Sequence, residues 1–265
     1  MSIKVQKFSG WLIILILLAG CASSGNSTQR TREQKSNAAY NAAETNTQLA
    51  VGYLEKGDTE VALEKIRRAL LQDPESAGAH TVAGVIFERI NLFDDAEKHY
   101  RQAAKLSPNN GDVLNNYGQF LCKVKRFDES ITYFDRAVSQ PFYENREVAL
   151  TNAGTCLEQS GDLVSAEQRY RQALDANGQY PDALFLLSRS LCKRGDDFRA
   201  RAFLQRLQAA GGDSPESLWL CYAIESRMGD TKTASDCASQ LKSYFPESSQ
   251  AQRLGQGDNN NEYCG

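Results

Sequence analysis

Seven cysteines are the most reactive groups in this 265-residue chain. Cys21 stands alone near the start, while Cys122, Cys156, Cys192, Cys221, Cys237 and Cys264 all lie further along. A thiol can be acylated, hold a metal or pair into a disulfide, and compartment and spacing decide which. The only histidines are His80 and His99. Two histidines alone do not make a zinc site, so a solvated or packing role is expected and no metal is assigned. No nucleophile is spaced with a base and an orienting acid. No catalytic residue, and hence no enzyme, is expected.

The elements that position these groups follow from a 34-residue period. One column of small residues runs Ala62, Ala96, Ser130, Ala166, Ala200, Ala234. A second runs Ile66, Tyr100, Phe134, Tyr170, Leu204, Ala238, and a third Ala69, Ala103, Ala137, Ala173, Leu207, Leu241. Turn residues close the units at Pro74, Pro108, Pro141, Gly178, Gly211-Gly212 and Pro246. This is the tetratricopeptide period, in which two amphipathic helices, A and B, bury their apolar faces by stacking on neighbours. The fold class expected is all-α, a right-handed superhelical solenoid of six repeats. The units are placed at 43–76, 77–110, 111–146, 147–180, 181–214 and 215–248, the third carrying two extra residues near Pro141-Phe142-Tyr143. Gly84, Gly118 and Gly154 recur on helix A, where a glycine costs about 1 kcal/mol against alanine and so implies close packing. Gly57-Asp58, Gly161-Asp162, Gly195-Asp196 and Gly229-Asp230 mark the A–B turns, glycine ending one helix and aspartate capping the next.

Lys4 and Lys7 precede an apolar run from Trp11 to Leu18, too short to span a bilayer, which takes about 20 apolar residues. It reads as the core of a signal peptide over residues 1–20. Leu18-Ala19-Gly20-Cys21 resembles the bacterial lipobox, which implies cleavage before Cys21 and lipidation of its thiol. That covalent lipid is the one cofactor-like group expected. Ala22, and not aspartate, follows Cys21, which points to the outer membrane, with the chain facing the periplasm. Residues 21–42 are expected to form the lipidated end and a flexible tether, and residues 249–265 a disordered tail. Loss of the first twenty residues removes Lys4 and Lys7 and no acid, taking the formal net charge from −3 to −5. That balance argues against a nucleic-acid partner.

In an oxidising periplasm the remaining cysteines should pair. Cys122 and Cys156 fall late on the A helices of successive units, which stack side by side, so a bridge is expected there. Cys221 and Cys237 lie on the A and B helices of one unit and form a weaker candidate. Cys192 and Cys264 have no evident partner. A protein partner should meet the concave wall made by the A helices. Its expected groove residues are Val51, Leu54, Val85, Asn115, Asn116, Gln119 and Asn152, with Thr47, Thr81, Glu88, Thr151, Thr155, Phe185, Arg189 and Trp219 also exposed. Val51, Leu54 and Val85 make the first units the more apolar part, as suits an extended or helical peptide.

Three stretches carry a resemblance: Asn109-Asn110-Gly111-Asp112-Val113-Leu114-Asn115-Asn116-Tyr117-Gly118-Gln119-Phe120-Leu121-Cys122, then Asn152-Ala153-Gly154-Thr155-Cys156, then Glu216-Ser217-Leu218-Trp219-Leu220. Together with the lipobox they are similar to the type IV pilus biogenesis and stability lipoprotein family PilF/PilW, over about residues 15–250. The resemblance implies an outer-membrane pilotin that binds the pilus secretin and promotes its localisation and multimerisation. It also implies a Cys122–Cys156 bridge. Cys192, Cys221, Cys237, Cys264 and the asparagine-rich tail depart from the family pattern. The alternative is another outer-membrane tetratricopeptide scaffold, serving outer-membrane protein assembly or peptidoglycan-enzyme recruitment.

Overall fold

The computed structural model describes residues 24–255 and residue 264. Among the described residues twelve helices form six antiparallel pairs and a thirteenth follows. The A helices are α1 (Ser24–Glu55), α3 (Ala77–Arg89), α5 (Gly111–Lys123), α7 (Arg146–Ser160), α9 (Pro181–Lys193) and α11 (Pro215–Met228). Their B partners are α2 (Thr59–Gln72), α4 (Phe93–Leu106), α6 (Phe127–Val138), α8 (Leu163–Ala176), α10 (Asp197–Ala209) and α12 (Thr231–Tyr244), and α13 is Ser249–Gly255. Each A helix packs on its own B helix and on the next A helix, whereas successive B helices do not pack on one another. The A helices therefore line the inner wall of the solenoid and the B helices its outer face.

Every A–B turn is built the same way. Gly57, Asn91, Lys125, Gly161, Gly195 and Gly229 occupy one column, and all have positive φ, from 61° at Asn91 to 93° at Gly161. The next residue's N–H reaches back to close the helix, as in Asp58 to Tyr53, Leu92 to Phe87 and Arg126 to Leu121. This is the Schellman arrangement, which glycine adopts without steric cost. Asp58, Asp162, Asp196 and Asp230 then accept the backbone N–H three residues on and start the B helices. Asn91 and Lys125 hold the same conformation without glycine, so the sequence showed no turn signal there.

The three columns form the core: Ala62, Ala96, Ser130, Ala166, Ala200 and Ala234 are all buried, as are Ile66, Tyr100, Phe134, Tyr170 and Leu204. A Cβ built on Gly84 would lie 2.9 Å from the Tyr100 ring, on Gly118 2.8 Å from Phe134, and on Gly154 2.5 Å from Tyr170. The aromatic ring lies flat against the bare backbone of its A helix. In the fifth unit the column changes as a pair: Ser188 replaces the glycine, Leu204 replaces the ring, and Ser188 Oγ donates to the Ala200 carbonyl at 2.8 Å.

Two expectations at the ends need correction. The segment read as a flexible tether is helical from Ser24, continuous with the first A helix. Polar composition misled because this stretch carries no proline and its only glycine, Gly25, lies in the first turn, so nothing breaks the helix that α2 stabilises further along. The segment read as a disordered tail contains α13, which places Ala251 against Leu218, Trp219 and Leu241. The signal peptide and Cys21 lie outside the described residues.

Candidate partner-binding wall

The inner wall is organised in columns with different fates. Leu54, Glu88, Cys122, Glu158 and Cys192 share one column, at the seam between each unit and the next. A second column, one residue on, carries Glu55, Arg89, Lys123, Gln159, Lys193 and Arg227. Together they staple the solenoid. Arg89 Nη1 donates to the Leu54 carbonyl at 2.7 Å. Lys123 Nζ meets Glu88 at 3.0 Å, and Lys193 Nζ meets Glu158 at 2.9 Å. Arg227 Nη1 donates to the Cys192 carbonyl at 3.0 Å. At the remaining junction, between the third and fourth units, a disulfide joins Cys122 to Cys156 with Cα atoms 5.7 Å apart. A hydrogen bond to a backbone carbonyl, an ion pair or a covalent bond thus serves the same seam.

Glu88 and Glu158 each take a further hydrogen bond from the ring of their own unit, Tyr100 Oη at 2.9 Å and Tyr170 Oη at 3.0 Å. Burial pushes the Glu158 carboxyl up, but Lys193, Arg189 and the Tyr170 hydroxyl outweigh it and hold the group below its ordinary value. Burial raises the Tyr170 hydroxyl, so it stays protonated and remains a donor.

These columns sort the expected groove residues. Leu54 is 8% exposed and packs with Ala50, Ile66 and Ala83, so it belongs to the seam and not to the groove. Asn115 is 6% exposed, and its Oδ1 accepts from Asn152 Nδ2 at 3.0 Å, a bond between units three and four. Thr47, Thr151 and Trp219 are likewise buried. The threonine hydroxyls turn back to the carbonyls of Ala43 and Glu147, which lets their methyl groups pack between helices. The open column is the one between, exposed at Val51, Val85 and Gln119 and half-buried further along at Thr155 and Arg189. Val51 and Val85 are each 38% exposed. Gln119 is exposed, and Asn116 and Asn152 are half-buried beside it. The wall is therefore apolar at its first two units and polar beyond them.

The far end of the wall is covered by the chain itself. Arg253 of α13 lies over the Trp219 ring at 4.8 Å. Cys264 is bonded to Cys192, which sequence reasoning left without a partner, because 72 residues separate the two and no periodicity links them. Cys221 is bonded to Cys237 within the last unit. A small cavity of about 150 Å³ remains there, lined by Phe185, Arg189, Glu216, Trp219, Arg253 and Cys264 among others.

Comparison with known proteins agrees with this architecture. Family models described as tetratricopeptide repeat match residues 47–110, 111–179 and 157–220. The type IV pilus assembly protein PilF of Pseudomonas aeruginosa is 30% identical over 242 residues, spanning 91% of this chain and 95% of the relative. A solved structure of P. aeruginosa PilF superposes with a TM-score of 0.70 at 29% identity, covering 83% of this chain and 100% of that one. The crystal structure of PilW, described as a widely conserved type IV pilus biogenesis factor, gives a TM-score of 0.72 at 30% identity over 80% of this chain and 97% of that one. A near full-length match in sequence, together with the same solenoid, places the chain in the PilF/PilW family of tetratricopeptide proteins of type IV pilus biogenesis, a protein-interaction fold.

Proposed function

We propose that this chain is a pilotin. Lipidation of Cys21 anchors it to the outer membrane on the periplasmic side, and its inner wall binds the type IV pilus secretin and promotes assembly of the secretin multimer. The observation that carries the reading is an apolar, solvent-open start to a wall whose other end is sealed, in a chain of the PilF/PilW family. Several acyl chains, each contributing about 0.8 kcal/mol per buried methylene, make the anchorage effectively permanent. Tethering then raises the local concentration of secretin subunits at the membrane. The helix from Ser24 to Ala42 changes the geometry: nineteen residues at 1.5 Å each make a stiff arm of about 28 Å, not a slack leash.

The test combines a gene deletion with a wall variant. Deletion is expected to leave secretin monomeric or misplaced on unboiled gels of membrane fractions. A chain carrying Val51→Asp and Val85→Asp should keep its helical circular dichroism yet restore few multimers. Full multimer in the deletion strain would refute the pilotin reading. Full rescue by the double variant would move the binding surface elsewhere.

A further inference from the structure

The disulfides of this chain stand in different surroundings. Cys122 Sγ lies 3.8 Å from Gln159 Oε1 and Cys156 Sγ 3.3 Å from Ser130 Oγ, both uncharged groups. The Cys192–Cys264 bridge instead meets a cation: Arg227 Nη1 is 3.1 Å from Cys264 Sγ and 3.6 Å from Cys192 Sγ. Two anchors hold the guanidinium there. Its Nη1 donates to the Cys192 carbonyl at 3.0 Å, and its Nε meets Asp197 Oδ2 at 3.2 Å. A cation beside a sulfur favours the thiolate, and a disulfide is cut faster when the departing thiolate is stabilised.

Access to this bridge is one-sided. Cys192 is fully buried, whereas Cys264 is 6% exposed and borders the cavity it shares with Phe185, Arg189 and Trp219. An incoming thiolate therefore reaches Cys264 Sγ, with Cys192 as the leaving group beside Arg227. The bridge also closes the cover over the wall. With seven residues, α13 is too short to be stable as a helix alone, so it stays on Trp219 through packing and through the closure that the bridge imposes.

We propose that the Cys192–Cys264 bridge is a site of thiol–disulfide exchange with an external dithiol protein of the Cys-x-x-Cys class, and that its opening uncovers the far end of the wall. One thiolate of the dithiol attacks Cys264 Sγ and forms a mixed disulfide. The bond to Cys192 breaks, and Cys192 leaves as a thiolate facing Arg227 and takes up a proton. The second thiolate of the dithiol then attacks its own partner sulfur in the mixed disulfide and releases Cys264, which is protonated in turn. Two electrons and two protons pass from the dithiol, which ends as a disulfide, to the bridge, which ends as two thiols. Phe185, Arg189 and Trp219 then extend the open wall toward the sixth unit. The step holds whether or not the partner of that wall is a secretin.

Graded reduction tests it on the full chain carrying Trp11→Phe, which leaves Trp219 as the only tryptophan. Alkylation and peptide mass spectrometry are expected to show Cys192–Cys264 opened first, both by dithiothreitol and by reduced thioredoxin, while the other two bridges stay closed. In dithiothreitol the Trp219 emission should shift to the red as the ring meets water, and Cys264→Ser should show the shifted emission without reductant. Arg227→Gln should slow the opening by about tenfold, and Arg227→Lys, which keeps the charge, should restore most of the rate. Another bridge opening first or at the same reductant concentration would overturn the proposal. So would no opening by thioredoxin, an unchanged emission in the opened chain or in Cys264→Ser, or equal rates in the two Arg227 variants.

Discussion

Single residues in this solenoid are held to a size by the residue that faces them. Gly154 shows it most sharply, because a Cβ there would meet Tyr170 at 2.5 Å. In an unconstrained helix Gly→Ala would gain about 1 kcal/mol. Here the methyl must displace a fully buried ring, an overpacking cost of about 1–3 kcal/mol. Gly154→Ala should therefore lower the urea midpoint, and adding Tyr170→Leu should recover part of the loss, since Ser188 opposite Leu204 is the same exchange made by the chain itself. A midpoint raised by Gly154→Ala would mean the glycine is incidental. Lys125 presents the converse case. Its φ of 63° costs a side chain about 1–2 kcal/mol, against about 0.5–1 kcal/mol for the extra freedom of glycine in the unfolded chain. Lys125→Gly is expected to stabilise by about 0.5–1 kcal/mol, read as a rise in the urea midpoint with an unchanged slope.

At the scale of elements, the staples between A helices decide how firmly one unit holds the next. Glu158 carries the fourth junction, with Lys193 at 2.9 Å, Arg189 at 3.4 Å and its side chain 10% exposed. Its lowered pKa means that it binds a proton less readily in the folded chain than in the unfolded one. Its stabilisation is complete above the unfolded carboxyl value of about 4.3, and is lost as pH falls through the folded value. Glu158→Gln should therefore destabilise at neutral pH by about 1–3 kcal/mol and leave a shallower acid limb in a plot of Tm against pH. An unchanged acid limb would remove Glu158 from the account. This ladder also explains what could be read from the sequence. Period, columns and turn glycines announce themselves because the same packing problem recurs in each unit. The seam did not, because Leu54, Glu88, Cys122, Glu158 and Cys192 solve one problem with different chemistry, and a column without a common residue type has no signature. Leu54 and Asn115 were placed in the groove for that reason. Neither residue differs in polarity from a wall residue. Only the spacing to Arg89 and Asn152 in the next unit shows that they are spent on the junction.

For the whole molecule, an elongated stack has no central core, so its stability is a chain of local contacts. The ends are the weak points, each lacking a neighbour on one side. At the start α1 extends well past its own B helix. At the other end α13 covers Trp219, and Cys264 returns to Cys192 across 72 residues. By loop-closure entropy a bridge of that span stabilises by as much as about 4 kcal/mol. The gain cannot spread evenly, because the cluster that holds Cys192 and Cys264 lies within the last three units: it includes Leu187, Leu191, Leu220, Cys221, Ile224 and Cys237, and reaches back to Ala166, Tyr170 and Leu157 of the fourth unit and no further. Cys264→Ser is therefore expected to raise hydrogen exchange in α11, α12 and α13, and less so in α9. The amides of α3 to α6, held by the separate cluster around Tyr117 and Phe134, should exchange at unchanged rates. It should also leave binding at Val51 and Val85 intact, since that end of the wall is stapled by Arg89 and not by the bridge. Faster exchange across all six units would show that the stack unfolds as one body, and the division of the wall into an open end and a sealed end would then lose its physical basis.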